Sequence, residues 1–146
     1  MSFENQPLAG YPKKSIEGEV GHHTIVYTAE KFEAPINFGV FVRMDKGIIK
    51  KLDNTTTQVI AGVSLRDIAG NGLDKGTLTN TYRDIVEYVR WGECRVRVKA
   101  GEKPEVLGKV YVDKATGEAT TKSTDIDVGA EFIRHFEDNI WLIRIK

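Results

Sequence analysis

Cys94-Arg95-Val96-Arg97-Val98-Lys99 alternates small apolar residues with cations at every step. A period of two belongs to a β-strand, where successive side chains point to opposite faces. Cys94, Val96 and Val98 are therefore expected in the core, with Arg95, Arg97 and Lys99 on the outer face. The chain ends in the same pattern. Trp141, Ile143 and Ile145 share one side, opposite Leu142, Arg144 and Lys146, and the apolar side is expected to pack inward.

Outward from these two stretches, strand-like runs cover 23–29, 38–43, 48–52, 59–65, 85–91, 94–99, 109–112, 118–122, 131–136 and 140–145. Turn signals separate them. Asp45-Lys46-Gly47 reads as a hairpin turn, and Gly92-Glu93 as a tight turn between 85–91 and 94–99. In Asp113-Lys114-Ala115-Thr116-Gly117 the Asp is expected to bond its own backbone and the Gly to supply a positive φ. No long segment carries a 3.6-residue period. About ten short strands at this spacing predict an all-β fold, a small β-sandwich or barrel.

Composition agrees. Of 146 residues, 27 are Val or Ile and 12 are Thr, against 7 Leu, and branched side chains suit a pleated surface better than a helix. Lys plus Arg equals Asp plus Glu at 21 each, so no overall field attracts nucleic acid or an anionic membrane. No apolar run approaches the roughly 18 residues of a membrane span, and the start, MSFENQPLAGYPKK, carries no apolar signal-peptide region. The single cysteine, Cys94, excludes an intrachain disulfide and fits folding in a reducing cytosol.

Two segments depart from the strand pattern. Residues 1–15 contain Gly10, Pro7 and Pro12, which interrupt a ladder, and Phe3, Leu8 and Tyr11, which have no period. They read as an extended arm ahead of a single β domain over 16–146. The arm is either a disordered terminus or a segment that orders on a neighbour, with the three apolar residues as anchors. Residues 66–81 (RDIAGNGLDKGTLTNT) are long for a structureless connection. Asn71, Leu73 and Leu78 are candidate contacts there.

Chemistry-bearing patterns are sparse. Arg95, Arg97 and Lys99 would stand about 6–7 Å apart along one face. That face either meets phosphates or carboxylates, or is solvated and paired with an acidic strand. Binding of single-stranded nucleic acid would want aromatics on the same face, and the alternate positions are Val. His22 and His23 are adjacent, so on a strand they diverge. Asp125-Ile126-Asp127-Val128-Gly129 is a fragment of a calcium loop without its closing Glu. Cys94 reads as an inert core thiol. No nucleophile elbow, P-loop or dinucleotide fingerprint is present. No catalytic residue, metal site or cofactor is assigned.

A family resemblance is carried by two blocks. The first is Pro35-Ile36-Asn37-Phe38-Gly39-Val40-Phe41-Val42 with Val59-Ile60-Ala61-Gly62-Val63-Ser64-Leu65. The second runs from Gly108-Lys109-Val110-Tyr111-Val112-Asp113 through Thr116-Gly117 and Asp127-Val128-Gly129-Ala130-Glu131-Phe132 to Trp141-Leu142-Ile143-Arg144-Ile145. Together they resemble the structural cement, or head-decoration, proteins of tailed bacteriophages. The resemblance implies a β-rich homo-oligomer on the capsid exterior that binds the major capsid protein, bridges its subunits and stabilises the expanded shell. It implies no catalytic residue, and it reads Gly39 and Gly62 as close approaches or bulges. The alternatives are another virion β protein, at the tail or fibre base, and a carbohydrate-binding adhesion module that uses Tyr88, Trp91 and Tyr111 as a stacking platform.

Overall fold

Alternating and β-branched runs fold here as strands with no helix among the described residues. A computed structural model describes residues 24–29, 31–33, 36–65 and 86–146. Within them lie nine strands: β1 (Ile25–Ala29), β2 (Phe41–Asp45), β3 (Ile48–Lys50), β4 (Val59–Ser64), β5 (Val86–Arg97), β6 (Lys109–Val112), β7 (Ala119–Thr120), β8 (Ile126–Glu137) and β9 (Ile140–Ile145). The sheet order is β3-β2-β4-β5-β9-β8-β6-β7, with β1 also on β5. All ladders are antiparallel. The sheet curls into a half-barrel, as the sequence pattern predicts.

The tight turn expected at Gly92-Glu93 does not form. β5 runs unbroken for 12 residues. Gly92, at φ 111°, bends the strand without reversing it, in a conformation a side chain would disfavour. The bend hands β5 from one partner to another: Ile25 of β1 pairs with Trp91, and Ile145 of β9 pairs with Gly92. The stretch 38–40 also departs from expectation, as a turn and bend ahead of β2. Its backbone serves two neighbours, since Gly39 N–H donates to Ser64 O at 2.9 Å and Gly39 O accepts from Arg97 N–H at 2.8 Å.

Two bridges draw the sheet back on itself. Val98, just past β5, forms a parallel bridge with Ala119 of β7, and Lys99 N–H donates to Ala119 O at 2.9 Å. At the other end Phe32 bridges Ile49 of β3, where Ile49 N–H donates to Lys31 O at 3.0 Å.

Alternation along the strands sorts side chains into two cores. Phe41 and Val63 join the larger core, whose centre is Val89, Val96, Val110, Phe132 and Ile143. Val42, next to Phe41, turns to the other face, and a register shift opposite Val42 and Arg43 turns Ala61 there too; both join Ile36, Ile49, Val86 and Tyr88. Cys94, Val96 and Val98 are buried, as are Trp141, Ile143 and Ile145, so both alternation readings hold. Phe132 and Trp141 meet edge to face with centroids 5.4 Å apart, the geometry their quadrupoles favour. Gly62 lies on β4 beside Val63, which pairs with Val89 of the neighbouring β5. A Cβ there would overlap the Val89 carbonyl, which makes this a position of close backbone approach, as read from the sequence.

Candidate functional site

Strand β1 is unlike the rest. It forms because Ile25-Val26-Tyr27-Thr28-Ala29 is rich in β formers and finds five partners on β5, from Trp91 to Val86. It buries little: Ile25, Val26 and Tyr27 stay exposed. Tyr27 lies over the buried ring of Tyr88 with centroids 5.6 Å apart. Beside the strand, Trp91 is 57% exposed. Among the described residues no strand pairs with the outer edge of β1. The result is an apolar strip along a sheet edge whose N–H and C=O groups offer a template to another chain. Val106 and Leu107, in the connection between β5 and β6, form a second exposed apolar point.

The basic ladder of β5 splits. Lys99 leaves the strand and meets the buried Asp113, Nζ to Oδ2 at 2.5 Å. Burial works to raise the Asp113 carboxyl. The Lys99 hydrogen bond and charge and the Ala115 and Thr116 amides outweigh it and hold the group below the ordinary carboxylate range. The same hydrogen bond pushes the Lys99 ammonium up. This closes the turn read from the sequence: Ala115 N–H donates to Asp113 Oδ1 at 2.9 Å, and Gly117 N–H to Asp113 O at 2.8 Å. Arg95 instead stacks on Phe136 of β8, with Cζ 4.0 Å from the ring centroid. Sequence reasoning missed this aromatic because it lies two strands away, across β9.

Catalytic arrangements do not assemble from the described groups. Burial pushes the Cys94 thiol up to about 12, helped by the charge of Glu93, which leaves it protonated and inert. The carboxylates of 125–129 have local roles. Asp125 accepts from the Thr120 hydroxyl at 2.6 Å, and Asp127 from Gly129 N–H at 3.0 Å. Among the described residues no three His, Cys, Asp or Glu side chains converge as a metal site. An open groove of about 380 Å³ between β4 and β8 is lined by Gln58, Ile60, Arg90, Ile126 and Asp127 without a paired acid and base.

The family described as "Structural cement protein (E217 gp24/Pam3 gp6)" matches residues 3–146. The chain belongs to this phage structural cement family. Among solved structures it is similar to a chain from "The capsid of Myoviridae Phage XM1", at 25% identity and a TM-score of 0.77, covering 99% of this chain and 97% of that one. No curated protein matches. The cement protein therefore has a capsid-associated structural role and is a virion component.

Of the contact residues read from the cement protein's sequence, Phe3, Leu8, Tyr11, Asn71, Leu73 and Leu78 all lie outside the described residues. The stacking platform of the glycan alternative does not come together. Tyr88 is only 5% exposed and belongs to the smaller core, while Trp91 points out and Tyr111 sits on β6. The sequence shows the β1 run but not its exposure. Ile25, Val26 and Tyr27 are consecutive apolar residues, a run that normally marks a strand covered on both faces.

Proposed function

We propose that this cement protein binds the outer surface of the expanded head and bridges neighbouring major capsid subunits, acting as a homo-oligomer. The observation that carries this reading is the exposed strip of Ile25, Val26, Tyr27 and Trp91 in a member of a structural capsid family. Such a strip costs solubility when bare and is stabilising when covered by a partner. Residues 1–15 act as the arm, with Phe3, Leu8 and Tyr11 as anchors, and 16–146 as the β domain. The segment bearing Asn71, Leu73 and Leu78 supplies a second contact. Repetition over a symmetric shell turns weak individual contacts into avidity when copies are linked. The likeness to a chain from a myovirus capsid supports the location.

Co-sedimentation with expanded heads that lack this protein tests the reading. The full chain is expected to pellet with intact heads and to raise their resistance to heat. A chain lacking residues 1–12 is expected to keep its fold and bind more weakly. Failure of the full chain to bind intact heads would remove the proposal.

A further inference from the structure

We propose that the outward face of β5, β9 and β8, centred on Arg95, Arg97 and Arg134, docks a carboxylate-bearing segment of another protein. On the decoration reading above, on which the choice of partner rests, that protein is the capsid subunit. Arg95, Leu142 and Arg134 stand in one row across the three strands, and Arg97 stands opposite Ile140 in the next. A register shift in β8 between His135 and Glu137 frees Phe136 from the ladder. Its ring lies 4.0 Å from Arg95 Cζ and 4.8 Å from Arg134 Cζ.

Two guanidiniums on one ring are at most about 9 Å apart, no more than about the screening length of roughly 8–10 Å, so each still feels the other's charge. The acids of the adjoining row are engaged elsewhere. Arg144 binds Glu93 at 2.6 Å, and Lys146 binds Glu131 at 3.2 Å. Arg95, Arg97 and Arg134 make no ion pair among the described residues, whereas Arg43 and Arg144 do. Neither guanidinium on the ring makes a hydrogen bond or ion pair among the described residues, so their N–H donors are available to a ligand. Held on the ring, the planar fork has less freedom to lose when it grips a carboxylate.

Nucleic acid fits the face less well. The Phe136 ring already carries two guanidiniums, which compete with a base for it. Glu137, across Ile140 from Arg97, and Asp138, just past β8, are exposed and oppose any anion at that end, which places the carboxylate nearer Arg95 and Arg134. Leu142 and Ile140 give the rows the apolar floor of a protein contact.

The test compares the wild-type chain with R95E/R134E, R95A/R134A and R97E in binding to expanded heads lacking this protein. Thermal melts serve as a fold control. The double charge reversal is expected to bind about tenfold or more weakly, with a flatter salt dependence, and R97E to lose less. The alanine pair keeps the inference testable if the reversal misfolds, and it is expected to weaken binding too. Folded variants that bind as well as wild type would overturn the inference and leave decoration standing. A wild-type chain that ignores intact heads would sink decoration and this inference with it. Tight binding of a dT oligonucleotide at the same salt, lost in R95E/R134E, would overturn it in favour of nucleic acid.

Discussion

The two cores of this protein are closed in different ways. Among the described residues the larger gathers fifteen buried side chains from both halves of the chain and is wrapped by β5, β9, β8 and β6, with β7 bridged back to Val98. The smaller has six and is bounded by β1, an edge strand exposed for most of its length. Hydrophobic stabilisation scales with apolar area removed from water, so the first core sets the stability of the domain. The second holds together a region whose outer apolar surface stays exposed. The long strand β5 contributes side chains to both.

The largest expected effect breaks the first core. Phe132 is fully buried and packs edge to face on Trp141. Phe132→Ala is expected to cost about 3–5 kcal/mol, through lost transfer energy and the cavity left behind. Urea unfolding should show this loss for the whole domain. Ile49→Ala, at an equally buried site in the smaller core, is expected to cost about 2–3 kcal/mol. Hydrogen exchange should distinguish the two. After Ile49→Ala the amides of β2 and β3 should exchange faster while β8 and β9 stay protected. Uniform loss of protection would mean that the cores are one cooperative unit.

A smaller effect sits on the closing seam, where Lys99 and Asp113 lock the β6–β7 turn against the end of β5. A carboxyl held below its unfolded value stabilises the fold above about pH 4, and that contribution fades as pH falls through the folded value. An ammonium held above its unfolded value stabilises below about pH 10, and its contribution fades as pH rises through the folded value. The pair is therefore fully effective between these limits. Asp113→Asn is expected to cost about 1 kcal/mol near neutral pH, with the gap from wild type closing in acid. A gap that stays constant down to pH 2 would show that packing, not charge, matters at this seam.

How legible each region was follows the same division. The alternation in 94–99 and 140–145 placed Cys94, Val96, Trp141 and Ile143 in the larger core, because a half-buried strand writes its inner face into every second residue. The turn at Asp113 was legible because its chemistry is local. Gly92 was misread: a glycine between two strand-like runs signals a turn or a bend equally well, and only the ladder partners on either side decide. The Arg95–Phe136 stack depends on pairing across three strands, which no local pattern encodes. The exposure of β1 was hidden for a related reason, since an edge strand and a central one share the same residues and differ in their neighbours.

The smallest expected effect on stability sharpens the comparison most. Trp91 is the largest exposed apolar side chain on the strip, and its ring contributes little to either core. Trp91→Ala should therefore move the unfolding free energy by no more than about 0.5 kcal/mol, as for other surface positions. At an interface the same residue type tends to dominate the binding energy, because a large rigid aromatic is desolvated at low entropic cost. Head binding measured beside thermal unfolding separates the two contributions. Weakened binding with an unchanged melting temperature places Trp91 in the contact with the shell. A lowered melting temperature without weaker binding would make β1 and Trp91 part of the scaffold, and would leave the arginine face as the principal route to the capsid.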